Sequence, residues 1–223
     1  MEKFLGVLFC GGKGTRLGSI TKYISKSFIP IYDRPVFLFG LELLKKSKKI
    51  DQILILTNNE NNQKFKQLGY NTIIQNDDVV FDMLSGWEFV KNNTNSSANG
   101  VLIPSDNISD VSVDQLIDEF EMRNLDIVFS IHQNENKEKL SQMGTYDPIN
   151  MKFYYKCNPP KSIFGVIAPY IVKNSIDTSK GDNLLGEVNT KAVKYSGFWY
   201  DIGDKESILL ASEFVKNNVK RFK

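Results

Sequence analysis

The chain has 223 residues, a length that fits one large domain or two small ones. Apolar residues make up 41% of the chain and charged residues 24%, a globular composition that excludes intrinsic disorder. With 28 basic and 26 acidic residues the net charge is only +2, which excludes nucleic-acid binding driven by overall charge. Any site for a polyanion must therefore be a local cluster of cations.

The cysteines and the N-terminal sequence bear on location. Cys10 and Cys157 are too few for a disulfide-stapled secreted protein, and we interpret them as free thiols in a reducing compartment. The first apolar stretch ends at Gly11, which is unlike a signal peptide, and no apolar run reaches the roughly 20 residues of a membrane span. We therefore expect a cytoplasmic protein with no membrane partner.

Buried strands and helices alternate along the first half of the chain. Short, β-prone apolar runs predict strands at 4–10, 52–57, 71–75, 100–106 and 126–132. Helical periodicity and end signals predict helices from Pro35 to about residue 46, and over about 60–68, 80–91 and 113–123, with a polar loop at 91–100. This β-α alternation predicts an α/β fold with a doubly wound, mostly parallel sheet and helices on both faces.

The second half of the chain has a different pattern. Residues 133–150 are polar and turn-rich, and three β-prone pieces follow at 151–156, 162–171 and 191–201, before a closing helix from Asp204 to about residue 220. We predict a single domain over 1–223. Its parts are an α/β half over about 1–132, a β-rich part over about 133–203 and the closing helix over 204–223.

A glycine-rich loop follows the first predicted strand. Gly11, Gly12 and Gly14 would let backbone N–H groups approach a phosphate chain without obstruction from a Cβ atom. Lys13 and Arg16 add positive charge at the same place, and arginine suits bidentate contacts with phosphate. The alternative interpretation is a flexible turn with two solvated cations, but the interleaved cations favour phosphate binding.

Two better-known phosphate loops do not fit this segment. No Gly-Lys-Ser/Thr sequence closes a Walker A loop. Gly12, Gly14 and Gly18 loosely match a dinucleotide fingerprint, but residues 23–35 stand where a helix and a second strand would have to follow. An oxidoreductase with a nicotinamide cofactor is therefore disfavoured.

Two adjacent motifs carry a specific resemblance. FCGGKGTRL at 9–17, followed by SKSFIPIYDRPVF at 25–37, resembles the signature of the sugar-1-phosphate nucleotidyltransferases, most closely the glucose-1-phosphate thymidylyltransferase branch. Enzymes of that family join a nucleoside triphosphate to a sugar 1-phosphate and release pyrophosphate. The resemblance therefore implies that the half over about 1–132 is the nucleotide-binding half and that the β-rich part over about 133–203 is the sugar-binding part. Lys156 and Asp201 are 45 positions apart, fewer than the thymidylyltransferase pattern suggests, so we expect a short form.

The resemblance implies roles for the phosphate-binding residues. The glycine-rich loop, including Thr15, would wrap the triphosphate, and Arg16 would stabilise charge on the α-phosphate. Lys26 would hold the β- and γ-phosphates, although a solvated loop lysine is the alternative.

Two aspartates end β-prone runs, Asp106 in LIPSDNI and Asp201 in GFWYDIGDKES. Nucleotidyl transfer uses a hard cation, and Mg²⁺ takes one or two carboxylates. Taken alone, an aspartate in such a place is more often a turn or helix-capping residue, as we interpret Asp110 and Asp204. The SDNI and YDIGDKES segments resemble the family's metal-binding segments, so we predict that Asp106 and Asp201 bind Mg²⁺.

The resemblance also implies residues for the sugar and the base. Lys156 would bind the sugar phosphate, the backbone of Gly144 would contact the sugar, and Glu187 would lie near sugar hydroxyls unless it is a surface residue. Gln75 would contact the nucleobase edge, and its amide suits a pyrimidine imide, which favours dTTP or UTP.

The chain departs from the family pattern at positions that concern recognition. Val80 stands where a glycine normally allows the base to lie against the backbone, and Tyr155 replaces a glutamate for sugar hydroxyls. Cys157 and Ser27 replace a proline and a glutamine. These departures leave the nucleobase and the sugar open.

The sequence therefore predicts a Mg²⁺-dependent sugar-1-phosphate nucleotidyltransferase, without fixing whether it forms a homo-oligomer. One alternative is a non-catalytic paralogue that binds a nucleotide or nucleotide sugar and regulates a partner, motivated by Val80 and Tyr155. Another is a glycosyltransferase, which would share the sheet and metal chemistry but leave the glycine-rich loop unexplained.

Overall fold

The protein is described from a computed structural model, which covers residues 3–222. The α-helices are α1 (Phe37–Lys46), α2 (Asn59–Gln67), α3 (Met83–Thr94), α4 (Val113–Arg123), α5 (Lys137–Ser141) and α6 (Lys205–Asn217). The strands are β1 (Phe4–Cys10), β2 (Pro30–Ile31), β3 (Arg34–Pro35), β4 (Ile50–Thr57), β5 (Thr72–Ile74), β6 (Asn99–Pro104), β7 (Asn107–Ser109), β8 (Ile127–Gln133), β9 (Thr145–Asp147), β10 (Lys152–Tyr154), β11 (Phe164–Val172), β12 (Thr190–Tyr195) and β13 (Trp199–Asp201). The 3₁₀ segments are Thr15–Lys22, which has a kink at Gly18, Lys26–Phe28, Gly181–Gly186 and Val219–Arg221.

The central sheet has nine strands and is mostly parallel. Its main path runs β10-β9-β11-β6-β1-β4-β5, and β8 pairs with both β11 and β12. The pairs of β1 with β4 and β6, of β4 with β5 and of β8 with β12 are parallel, whereas β11 is antiparallel to its neighbours. The predicted fold class is confirmed.

Alternation along the buried strands explains why helices cover both faces. In β1, Phe4 and Leu8 face one side, where they pack with residues of α1 and α4, and Leu5 and Val7 face the other side, where they pack with α3. Both faces are therefore apolar, as expected for strands in a two-sided sheet.

Strand β11 splits the sheet and creates an opening. Along one edge, residues 170–172 of β11 pair with β6, whereas Gly165 pairs with Thr145 of β9. Between these two contacts the edge of β11 has no neighbouring strand, and residues 166–168 line a cleft together with Pro104 at the end of β6. The cleft thus lies at the carboxyl end of a parallel strand, where ligands bind in open α/β sheets.

A small two-stranded ribbon joins the closing helix to this region. β7 and β13 pair antiparallel with Asp201 opposite Asn107, and the backbone N–H of Ile202 donates to the carbonyl of Asp106 at 2.8 Å. Ile202 packs with Ala211 of α6 in a third apolar cluster. This ribbon brings Asp106 and Asp201 together although they are far apart in sequence.

Some element boundaries differ from the prediction. α3 begins at Met83 because Asp82 and Ser85 form a capping box at its N-terminus. The helix runs to Thr94, so part of the predicted loop at 91–100 is helix. The predicted strand at 191–201 is two strands, and a Cβ at Gly197 between them would lie 2.3 Å from the Tyr195 hydroxyl oxygen. α5 lies within the segment predicted to be turns, and the closing helix ends at Asn217. Within residues 3–222 no helix combines the length and apolar character that crossing a membrane requires.

Candidate active site

Two adjoining cavities lie at the carboxyl ends of the strands. The glycine-loop cavity has a volume of about 250 Å³, and Gly11, Gly12, Lys26 and Gln75 line it. The main cleft has a volume of about 460 Å³, within the range of small-molecule sites. Its lining includes the sequence-predicted residues Arg16, Gly144, Lys156 and Asp201. Asp106 lines both cavities and marks the place where they meet.

The glycine-rich loop is shaped by two of its glycines. A Cβ at residue 11 would lie 1.8 Å from Oε1 of Gln75, so the glutamine can approach the loop only because residue 11 is glycine. Gly14 has a φ of +64°, a left-handed conformation that favours glycine, and starts the 3₁₀ segment that carries Thr15 and Arg16. Val80, which stands where the family pattern has a glycine, also lines this cavity.

Lys13 and Gln75 share an acidic partner at the rim. The ammonium of Lys13 lies 3.0 Å from the carboxylate of Asp77, and both side chains are largely exposed. Gln75 donates through Nε2 to the same carboxylate at 2.6 Å. In this arrangement the Lys13 side chain points to the rim and not to the centre of the loop.

Arg16 spans the entrance of the main cleft. Its Nη1 donates to Oε1 of Gln142 at 2.9 Å, and its Nη2 lies 3.9 Å from Oδ2 of Asp201. A Cβ at residue 203 would lie 3.2 Å from Cζ of Arg16, so the guanidinium lies against Gly203. These contacts leave Arg16 more than half exposed and directed toward the carboxylates.

The two predicted metal carboxylates lie side by side. The amide of Asn107 donates to Oδ1 of Asp106 at 3.1 Å and to Oδ1 of Asp201 at 3.3 Å. Lys26 forms an ion pair with the other oxygen of Asp106, and its side chain is only 11% exposed. Burial, followed by the negative charge of Asp106, raises the pKa of Asp201 to about 6.

This donor set fits a magnesium ion. Hard oxygen donors converge, and burial together with the negative charge of Asp106 raises the pKa of Asp201, so neutralising this carboxylate is favourable. No group of three or more metal-ligating side chains occurs within residues 3–222. Mg²⁺ typically keeps several waters and takes only one or two carboxylates together with substrate phosphates, so a pair of aspartates is sufficient.

The sugar-side residues are only partly brought together. Lys156, at a φ of +43°, lines the main cleft with its ammonium 4.8 Å from the ring centroid of Tyr155. Gly144 also lines the cleft, and its lack of a side chain makes room for Phe153, which a Cβ would approach to 2.7 Å. Glu187 is not among the described residues that line the main cleft, and its carboxylate forms an exposed ion pair with Lys180 at 2.7 Å.

Asp182 is the acid that the same segment places in the cleft. Its backbone N–H donates to the carboxylate of Asp82 at 2.7 Å, and its carboxyl group bonds to the hydroxyl of Tyr170. Its Oδ1 is buried and has no hydrogen-bond partner within the described part of the chain. Burial, with a smaller contribution from the charge of Asp82, raises the pKa of Asp182 to about 8.

We expect Asp182→Asn to stabilise the protein in a pH-dependent way. Because the pKa of Asp182 rises from 3.8 to about 8 on folding, the wild type loses stability as pH rises across that window. The asparagine variant lacks this loss, so at pH 8 its free energy of unfolding should exceed that of the wild type by about 1 kcal/mol or more. The size follows because a difference of one pKa unit corresponds to about 1.4 kcal/mol. Urea unfolding at pH 5 and pH 8 measures the difference, which should narrow at pH 5.

Glu187→Gln is the matched control for this experiment. Glu187 lies in an exposed ion pair, so its replacement should change stability by less than about 1 kcal/mol at either pH. An equal stability difference for Asp182→Asn at both pH values would contradict the assignment of a neutral, buried Asp182.

Several cleft residues were missed by the sequence analysis. Lys139 and Gln142 come from the segment predicted to be turns, and Asn107 follows Asp106 directly. The alternation of Lys, Glu and Leu over 137–141 was the available signal for α5, but the helix is too short for periodicity to separate it from a turn.

Comparison with known proteins agrees with this geometry. A family model described as nucleotidyl transferase matches residues 5–145, and the chain belongs to this family. A glucose-1-phosphate thymidylyltransferase from Neisseria meningitidis is 25% identical over an alignment that covers 95% of this chain and 82% of the relative. The family of enzymes indicated by the glycine-rich loop is thereby confirmed.

Solved structures show the same fold. A structure from Bacillus anthracis, assigned to glucose-1-phosphate thymidylyltransferase and bound to sucrose, superposes with a TM-score of 0.79 at 18% identity and covers 95% of this chain and 94% of its own. An apo UDP-glucose pyrophosphorylase superposes with a TM-score of 0.74 at 16% identity and covers 98% of this chain and 99% of its own.

Proposed function

We propose that this nucleotidyltransferase transfers a nucleotidyl group from a nucleoside triphosphate to a sugar 1-phosphate in a Mg²⁺-dependent reaction. The observation that carries the proposal is that the two cavities meet at Asp106, beside Lys26, Asp201 and Arg16. A triphosphate in the glycine-loop cavity and a sugar phosphate in the main cleft would meet between these charges.

The chain's own residues would supply positioning and charge. Backbone N–H groups of Gly11 and Gly12 would bind phosphate oxygens, Lys26 would hold the leaving pyrophosphate, and Lys156 would orient the sugar phosphate. An oxygen of the sugar phosphate forms a bond to the α-phosphorus as the bond to pyrophosphate breaks, and Arg16 would stabilise the added charge. A phosphate monoester is already ionised, so no general base is needed. Mg²⁺ held by Asp106 and Asp201 would neutralise phosphate oxygens.

The substrate identities are part of the proposal. We favour dTTP or UTP, because Gln75 offers both a donor and an acceptor to a pyrimidine and because the similar proteins described above are named glucose-1-phosphate thymidylyltransferase and UDP-glucose pyrophosphorylase. For the acceptor side we propose that Asp182, and not Glu187, contacts sugar hydroxyls. Both cysteines are free thiols, which is consistent with the cytoplasmic location that we propose.

A pyrophosphate-release assay tests the function. Five nucleoside triphosphates are each combined with several hexose 1-phosphates and Mg²⁺, and inorganic pyrophosphatase converts the product into phosphate for detection. We expect release only when both substrates are present, with a pyrimidine nucleotide preferred. Silence across the panel, with nucleotide binding retained in a thermal-shift assay, would contradict the proposal and favour a regulatory paralogue.

A further inference from the structure

The side-chain amide of Asn107 contacts both Asp106 and Asp201. Its Nδ2 group donates to both Asp106 and Asp201, so both of its N–H bonds point at acidic oxygens. Its Oδ1 accepts a hydrogen bond from the indole Nε1 of Trp199 at 3.0 Å. One side-chain amide therefore links the indole to both acids.

The indole determines which way the amide faces. An indole N–H can only donate, whereas an asparagine amide carries an acceptor on one side and two donors on the other. If the amide turned by half a revolution, its NH₂ group would face the indole N–H and its oxygen would face the two carboxylates. Both contacts would then be lost, and the acids would gain a repulsive neighbour.

The indole is itself held in place. Trp199 and Asp201 are two residues apart on β13, which pairs antiparallel with β7 so that Asp201 lies opposite Asn107. The ring of His132 packs against the indole at a centroid distance of 6.0 Å and an interplanar angle of 70°. Packing and strand pairing thus hold the indole N–H of Trp199 in place independently of its hydrogen bond to Asn107.

We propose that Trp199 is a positioning residue that acts through Asn107 to hold Asp106 and Asp201 at the spacing required by a divalent cation. The inference rests on the proposed function for the identity of the two acids as cation ligands. It extends that function because Trp199 needs to touch neither cation nor substrate to have its effect. Groups that orient metal ligands in this way typically contribute 10–100-fold to metal affinity.

Trp199→Phe is the direct test, because phenylalanine keeps an aromatic ring beside His132 and removes the N–H donor. Mn²⁺ alone is titrated into the full chain, and the electron paramagnetic resonance signal of free Mn²⁺ gives the dissociation constant. We expect Trp199→Phe to raise that constant about tenfold. The Mg²⁺ concentration for half-maximal pyrophosphate release should rise by a similar factor, with the KM for triphosphate at saturating Mg²⁺ unchanged.

Tyr200→Phe is the matched control. It removes a hydroxyl from the neighbouring residue of β13 and leaves the contacts among the indole, the amide and the acids intact, so we expect an unchanged dissociation constant. Circular dichroism checks that each variant is folded. Asn107→Ala is the second variant, and adding Trp199→Phe to it should cause no further loss, because the indole acts only through the amide.

The outcomes separate this inference from the proposed function. Equal Mn²⁺ affinity of the wild type and Trp199→Phe, or fully additive effects in the double variant, would overturn the positioning role while leaving the enzyme assignment intact. If the wild type binds no Mn²⁺, both the positioning role and the proposed cation ligands fail. Nucleotide-dependent turnover is scored separately in the pyrophosphate assay.

Discussion

Asp201→Asn is expected to lower the rate of pyrophosphate release by about 100-fold or more at fixed Mg²⁺, and at the same time to leave the folded protein as stable as the wild type or more stable. Residues that merely orient metal ligands are worth 10–100-fold, so the loss of a ligand's own charge should cost at least as much. Stability should not fall, because the carboxylate is partly buried beside Asp106, and the two charges repel each other in the absence of a cation.

The direction of the expected stability change in Asp201→Asn follows from the pKa of Asp201. The pKa of Asp201 is raised to about 6 from 3.8, so folding favours its protonated form, and the wild type loses stability as pH rises through that window. Asparagine removes the loss, so any gain in unfolding midpoint should be present at pH 7.5 and vanish toward pH 4. Because Asp201 is a proposed cation ligand, we expect protons to compete with the cation below about pH 6 and added Mg²⁺ to move the acidic limb of the activity profile to lower pH.

Asp110→Asn is the control for Asp201→Asn. Asp110 also lies at the end of a strand, but it bonds to Tyr195 and pairs with Arg221 at 2.7 Å, away from the carboxylate pair. Its replacement should leave turnover within about twofold of the wild type. Near-normal pyrophosphate release by Asp201→Asn, or a comparable loss in Asp110→Asn, would remove Asp201 from the cation site.

The features that could be predicted from the sequence are those formed by residues close together in the chain. The glycine-rich loop and the strand before it form a continuous segment, so the local pattern was enough to predict residues that line the two adjoining cavities: Gly11 and Gly12 in the glycine-loop cavity and Arg16 in the main cleft. Helix α4 was predicted with its observed ends, because its apolar positions repeat over three turns and Ser112 caps it. Such features depend on neighbouring residues in the chain and can therefore be predicted without a structure.

The sugar side was harder because it depends on contacts between distant segments. Asp182 and Glu187 are five residues apart, and only the 3₁₀ segment Gly181–Gly186 decides which of the two turns toward the cleft. That segment is fixed by Asp82, whose carboxylate accepts from the backbone of Asp182. A contact spanning 100 positions leaves no periodic signal, so the sequence pattern did not indicate Asp182, and the resemblance implied Glu187 instead.

Arg16→Ala is expected to reduce turnover by about 10²–10³-fold, the range typical for removing one group that stabilises transition-state charge. The guanidinium projects from the glycine-rich loop into the main cleft, where Gln142 and Gly203 hold it beside Asp201. Because its side chain is 57% exposed and its nearest acid is 3.9 Å away, its loss should cost little stability. Thermal unfolding should therefore resemble that of the wild type.

Two further variants test why Arg16 matters. Arg16→Lys separates the effect of its charge from that of its geometry, and Lys22→Ala tests whether any nearby cation has the same effect. Lysine at position 16 keeps the positive charge but cannot make a bidentate contact, so it should recover only part of the lost turnover. Lys22 is an exposed cation that lies beyond the kink at Gly18 and outside both cavities, and its removal should leave turnover within about twofold of the wild type. If Arg16→Ala instead raised only the KM for triphosphate, with turnover unchanged, then Arg16 would bind the ground state and the transition state equally, and its assigned role would be wrong.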